Sequence, residues 1–341
     1  MIDPALVTLD HGEGGDATMR FIREEVLSRF ANEALEPLED GSWVSLENTK
    51  LVLTTDSFIV EPPFFPGGDI GKLAICGTVN DLLASGARPA YMTLALILSE
   101  GLAFSALRRI LDSASVCASQ VGVRIVAGDT KVLPRGPHPG GIYINTTGLG
   151  IPYHPEWDYA TSHARPGDKV ILTGSVGDHA LAVLSAREGL GFERRIASDC
   201  APLHDLIGPF LEEGDGHIRC LRDPTRAGLA GALLSIAQSS RVDVFVNDDR
   251  IVVHPEVRFG CEMLGLDPLR LANEGKFVMV VTADRAEAVC ARLKTHPLGR
   301  ESSVIATIAS PALATGQVII KGAEGSRVLG GTHGRLIPRL C

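Results

Sequence analysis

Two strand-like runs, 123–127 and 142–149, follow one another with no helix between them. This constrains the fold more than any other feature. Strand and helix patterns mix throughout the rest of the chain, and an unbroken alternation would have given a simple doubly wound sheet. The fold class expected is therefore α/β with α+β character, in two lobes. The length of 341 residues suits about two domains.

The boundaries follow the punctuation. Residues 1–42 read as an N-terminal segment with a helix whose apolar positions are Phe21, Ile22, Val26, Leu27 and Phe30. Residues 43–152 form a first lobe. It holds a strand from Lys50 running into Asp56, a loop at 61–68, and a helix from about Gly71 to Ser85 capped by Asp69. A strand at 92–98 reads as fully buried, and a helix at 105–120 follows. Residues 153–329 form a second lobe, with a strand at 169–173 and helices near 178–187, 256–264 and 284–295. Another helix is expected to start at Pro224 and run to Gln238, with strands near 242–246, 276–282, 303–308 and 317–321. Residues 330–341, GGTHGRLIPRLC, read as a mobile tail.

Neither lobe carries GxGxxG between strand and helix, and GxxxxGK[ST] is absent, so any nucleotide must be held in another way. A net charge of −9 without a basic stripe argues against a nucleic-acid partner. No run reaches the roughly 20 apolar residues of a membrane span, and no secretory signal opens the chain, so a cytosolic setting is expected. The seven cysteines include no CxxC pair, which fits neither a disulfide framework nor a zinc ribbon. Cys76, Cys117 and Cys290 lie in apolar helical patterns and read as inert core thiols. Cys341, the last residue of the sequence, contributes nothing to a core.

Acidic residues recur at strand and helix ends: Asp56, Asp81, Asp129 (followed by Lys131), Asp223, and Glu274 (followed by Lys276). Each alone is either a cap or turn residue or a ligand. Together they offer the carboxylate oxygens that a hard cation such as Mg²⁺ takes alongside phosphates. Asp81 fits the bland reading least, because it interrupts the apolar pattern Leu73, Ile75, Cys76, Val79, Leu82, Leu83.

The segments TTDSFIVEPPFFPGGDIGKLAICGTVNDLLASGARP, VAGDTKVLPRG, INTTGLG, RDPTRAGLA, CEMLGLDPLRLANEGK and PRLC carry a resemblance over nearly the whole chain. It resembles the HypE family of hydrogenase maturation factors, in the superfamily of aminoimidazole ribonucleotide synthetase and selenophosphate synthetase. The resemblance implies a two-lobed fold like that synthetase, a homodimer, and ATP bound with Mg²⁺ in the N-terminal lobe. It implies carbamoylation of Cys341 by the carbamoyltransferase HypF. An ATP-dependent dehydration of the S-carboxamide to a thiocyanate would follow, with the cyano group passing to iron in the HypC–HypD complex. By the same resemblance, Asp56, Asp81 and Asp223 hold Mg²⁺, and Asp129 is a further candidate. Asn80, Lys72, Asp56, Asp81 and Asp129 face the nucleotide, Lys131 meets the modified tail or developing charge, and Glu274 is the base. Lys72 is otherwise a solvated helix lysine. His11 and the glycines after it either fold over the nucleotide or form a loose terminus.

Two departures stand out: Glu13 in HGEGG where a small residue is usual, and Ala227 where glycine is usual. A selenophosphate synthetase would carry a reactive cysteine near its start, and none precedes Cys76. A non-catalytic maturation scaffold using Cys341 as a metal ligand is the rival from another class. The ten residues from Gly331 to Leu340 can extend by roughly 33–36 Å, enough to carry Cys341 into a cleft.

Overall fold

The computed structural model describes residues 11, 15–30, 32–134, 141–191, 195–313, 315–322 and 325–330. The first helical run passes from α1 (Asp16–Phe21) through a π-helical turn (Ile22–Leu27) into α2 (Ser28–Phe30). Its apolar positions do not enter the core; Phe30 is 65% exposed and only Thr18 is buried.

The first lobe is a five-stranded sheet packed on helices. In chain order come β1 (Ser42–Leu46), β2 (Thr49–Phe58), the short hairpin β3 (Phe64–Phe65) and β4 (Gly68–Asp69), and α3 (Ile70–Ala84). Then follow β5 (Ala87–Ser99), α4 (Phe104–Val121), β6 (Arg124–Leu133) and β7 (Ile142–Pro152). The order is β1-β2-β7-β5-β6, with only β5 and β6 parallel. The consecutive strands β6 and β7 therefore do not pair; β7 inserts between β2 and β5. Asp69 caps α3 as expected, its Oδ1 accepting from the N–H of Gly71 (2.8 Å) and Lys72 (3.1 Å), an arrangement worth about 1 kcal/mol. Every residue of α3 is buried except Lys72 and Asp81.

One expectation fails here. The strand at 92–98 is not fully buried: Ile97 is 39% exposed, and every residue of β6 beside it is exposed. Helices cover one face of this part of the sheet, and the apolar run continues onto the open face.

The second lobe comprises β8 (Lys169–Leu172), α5 (Asp178–Glu188), α6 (His204–Glu213), β9 (Ile218–Arg222), α7 (Gly228–Ser240) and β10 (Asp243–Asn247). It continues with α8 (Pro255–Leu264), β11 (Val278–Val281), α9 (Ala286–Leu293), β12 (Ser303–Ala309), β13 (Val318–Gly322) and β14 (Gly325–Val328). These strands form a sheet ordered β14-β13-β10-β12-β8-β11-β9. The period-2 alternation of a strand serves both faces: Ile171 and Met279 join one core, while Val170, Leu172, Val278 and Val280 join the other. The first of these cores runs without a break from α3 and α4 into Cys200, Leu203, Phe277 and Leu293, so the lobes share it.

The helix expected at Pro224 starts at Gly228 instead. Ala227 and Gly228 both sit at φ 60°, in the left-handed region, which turns the chain and leaves 223–227 outside the helix. Helix α6 and strands β1, β9 and β14 were not anticipated. No helix among the described residues is long and apolar enough to cross a membrane.

Candidate active site

Strand β2 points Val52, Thr54 and Phe58 inward, and Asp56 shares that face at intermediate burial. Helix α3 lies against it. A Cβ on Gly77 would come within 2.9 Å of the Phe58 ring and 3.7 Å of Asp56 Oδ2, so glycine is what lets the helix sit this close. One turn on, Asp81 Oδ2 lies 2.8 Å from Thr54 Oγ1, which is also 2.7 Å from the carbonyl of Asp40. The second lobe adds Asp223, just past β9, and Glu274, just before β11, both buried.

Carboxylate oxygens of Asp40, Asp81 and Asp223 lie within 4.8 Å of one another. Arg222 Nη1 reaches Asp40 at 3.0 Å and Glu39 at 3.5 Å, and Arg226 Nη2 lies 3.6 Å from Asp56 Oδ1. Five carboxyls thus gather around two guanidiniums.

Burial holds the Asp40 carboxyl well above the usual range, Arg222 opposing and Asp223 adding to the rise. Asp81 is likewise well raised, by burial and then by Asp56 and Asp223. Asp56 is raised by burial against the pull of Arg226, and Asp223 is pushed up to about 6, chiefly by burial. Glu274 is well raised by burial, then by Asp223, Asp199 and Asp56. Burial works against the charge of Arg222, but Asp40, Asp223 and Glu39 outweigh it and keep it a cation. An all-oxygen donor set with excess negative charge matches a hard divalent cation and poorly suits a softer metal.

The loop bearing Glu274 is held from several sides. Asp199 accepts from the N–H of Glu274 (3.1 Å) and of Gly275 (3.2 Å), and lies 3.7 Å from Lys276 Nζ. A Cβ on Gly275 would sit 1.9 Å from the Asp199 carbonyl oxygen. Asn273 bridges Gly177 N–H and the Pro224 carbonyl. Beside this loop a cavity of about 570 Å³ is lined by Gly174, Arg195, Asp199, His254, Lys276 and others.

The family profile described as "AIR synthase related protein, N-terminal domain" matches residues 38–152, and the corresponding C-terminal domain matches 165–318. Carbamoyl dehydratase HypE of Rhizobium leguminosarum bv. viciae is 42% identical over 336 residues, covering 98% of this chain and 95% of that protein. The chain belongs to the HypE family. Two solved HypE structures share its fold at 42% identity. A HypE–HypF complex superposes with a TM-score of 0.84, covering 92% of this chain and 99% of that one. A HypE in complex with ATP superposes at 0.80, covering 98% and 100%.

For this HypE-family chain, the residues singled out from sequence divide into groups. Asp81 and Asp223 share the close carboxylate group, and Asp56 and Glu274 act on it through their charge. Asn80 is adjacent, but its amide is spent on joining the lobes: Nδ2 donates to the carbonyls of Ala201 (3.1 Å) and Glu274 (3.4 Å), and Oδ1 accepts from Leu203 N–H (3.0 Å). Lys72 donates to the Gly67 carbonyl at 3.0 Å. Asp129 and Lys131 stand on the exposed edge strand β6 and pair with each other at 2.8 Å, apart from the cluster within one chain. His11 packs edge-on against Phe21 at 5.8 Å. Cys341 and most of the HGEGG loop lie outside the described residues.

Sequence reasoning missed Asp40, Asp199, Arg222 and Arg226 as site residues. Asp40 sits in an ordinary-looking turn, and Asp199 in an unpatterned segment; neither gives a local signal. The RDPTR run, with two arginines flanking an aspartate, was the one available hint.

Proposed function

We propose that this chain is an ATP-dependent carbamoyl dehydratase that converts an S-carboxamide on Cys341 to a thiocyanate, a cyanide source for a [NiFe]-hydrogenase iron centre. The observation that carries the reading is the close grouping of Asp40, Asp81 and Asp223, drawn from both lobes, with Asp56 and Glu274 near enough to act on it through their charge. Its family relatives bear the dehydratase name, and one solved relative holds ATP.

Asp40, Asp81 and Asp223, with Asp56 beside them, are the groups that would hold Mg²⁺. Bound there, the ion would supply neutralisation of phosphate charge. An amide oxygen leaves poorly, so phosphorylation by ATP must precede its loss, and a base must then take the nitrogen proton. Glu274 is our candidate for that task, and burial together with its acidic neighbours raises its carboxyl well above the usual range. Positive charge set against Asp223 and Asp56 would bring that carboxyl back down and make it a better base. Asp199 and Asn80 fix its backbone and so act as positioning residues.

Arg270 Nη2 holds the carbonyl of Gly330 at 3.1 Å. The 268–271 stretch packs on the turn after Asp223, where a Cβ on Gly228 would meet the Leu269 and Leu271 carbonyls. Gly330 is thereby tied to the 268–271 stretch, and an extended span of roughly 33–36 Å for the ten residues after it would let Cys341 reach the cluster. Asp129 and Lys131 enter a site of this kind most readily in a homodimer. The exposed apolar strand β6, with Val126 59% and Val132 63% exposed, is a suitable face for one. HypF as carbamoyl donor, the HypC–HypD complex as acceptor, and a cytoplasmic setting complete the proposal. A solved relative is held with HypF.

Intact-mass spectrometry tests it. After incubation with HypF and its carbamoyl donor, Cys341 should gain a carbamoyl group that loses water when ATP and Mg²⁺ are added. A persistent adduct would favour the scaffold reading, and undiminished ATP turnover in Cys341→Ala would refute self-modification.

A further inference from the structure

Two of the thiols that the sequence reads as inert core residues stand in direct contact. Cys76 Sγ and Cys117 Sγ are 3.6 Å apart, and Cys200 is close enough to act on the Cys76 thiol. The three come from α3, α4 and the segment between α5 and α6, and each is at most 3% exposed.

Their surroundings are not equivalent. On α3, Lys72, Cys76 and Asn80 recur at four-residue intervals and so share one face. That face meets α4 and the segment whose Ala201 and Leu203 backbones Asn80 holds. A hydrogen bond from Cys76 lowers the Cys117 thiol below its ordinary range, burial opposing and the Lys72 ammonium assisting. Burial instead pushes Cys76 well up, with hydrogen bonds to Cys117 and Cys200 adding to the rise. Lys72 is itself only half-buried. A thiol made easier to ionise, in contact with a second thiol, is the arrangement of a reactive and a resolving cysteine.

We propose that Cys76 and Cys117 form a modification site for hydroperoxides, closing a disulfide between α3 and α4. The Cys117 thiolate attacks one peroxide oxygen. The O–O bond breaks, the distal oxygen leaves as water after protonation, and Cys117 becomes a sulfenic acid. Cys76 sulfur then attacks Cys117 Sγ, forming the S–S bond while its proton and the sulfenic hydroxyl depart as a second water. Two thiols and one hydrogen peroxide thus give one disulfide and two waters; each sulfur gives up one electron and the peroxide takes both. Because α3 also carries Asn80 and Asp81, closure acts on the helix that supports the carboxyl cluster.

The test treats the reduced full-length protein with hydrogen peroxide under native conditions, blocks remaining thiols by alkylation, and maps unreduced peptides by mass spectrometry. The expected product is a peptide pair joining Cys76 to Cys117, lighter by two hydrogens and lost on treatment with a dithiol. Cys117→Ser should abolish the bridge and leave Cys76 reduced. Cys76→Ser should leave a sulfenic acid on Cys117 that a sulfenic-selective nucleophile traps, and Cys200→Ser should keep the bridge. Oxidation confined to Cys341, or a bridge from Cys76 to Cys200 in place of Cys117, would overturn the assignment.

Discussion

Replacing Asp223 with asparagine removes one charge from the cluster while keeping the side chain's shape. In the folded chain this carboxyl is pushed up to about 6 from an ordinary 3.8, principally by burial. At about 1.36 kcal/mol per pH unit of displacement, holding it ionised costs the fold on the order of 3 kcal/mol. The sign follows from proton linkage. Between pH 3.8 and about 6 the folded state keeps a proton that the unfolded state releases, so wild-type stability falls as pH rises through that window and is lowest above it. Without Mg²⁺, Asp223→Asn should therefore exceed wild type by up to about 3 kcal/mol at pH 8, and the gap should close near pH 4. Mg²⁺ should favour the wild type, narrowing or reversing the gap at pH 8. Urea unfolding of both proteins at the two pH values, with and without Mg²⁺, reads this directly. A gap that is the same at both pH values, or a less stable variant at pH 8 without Mg²⁺, would refute the electrostatic account.

Glu274→Gln should fold and bind ATP yet leave the carbamoyl adduct on Cys341 intact in the mass assay; a wild-type rate of water loss would require another base. Gly275→Ala drives a Cβ to 1.9 Å from the Asp199 carbonyl oxygen, so it should cost about 1–3 kcal/mol in thermal unfolding. An unchanged melting temperature would mean that the loop is looser than its hydrogen bonds indicate. Val132→Glu, on exposed β6, should shift the chain to monomer in light scattering; an unaltered dimer would move the interface elsewhere.

Much of the site was legible because its signals are local. A carboxylate inside an otherwise apolar helix stands out wherever the helix lies, and that singled out Asp81. Asp69 was readable as a cap from its place before a helical pattern. The pattern could not distinguish a strand buried on both faces from one whose open face is apolar, so β5 was misread. Nor could it foresee that Ala227 adopts φ 60°, a left-handed conformation that delays α7 and exposes the Asp223–Arg226 turn to the cluster.

By itself the sequence supplied the candidate residues for the chemistry, namely the acidic side chains with Glu274 ahead of a glycine and Cys341, together with the mixed strand–helix order. Those are properties of residue type and short-range periodicity. Only the tertiary structure decided that Asp40 joins Asp81 and Asp223, that Asp199 and Asn80 hold Glu274 from behind, and that Asp129 and Lys131 stand apart on an edge strand. These depend on which distant segments share a face and on how burial multiplies the cost of each charge, and neither is encoded in any window of neighbouring residues.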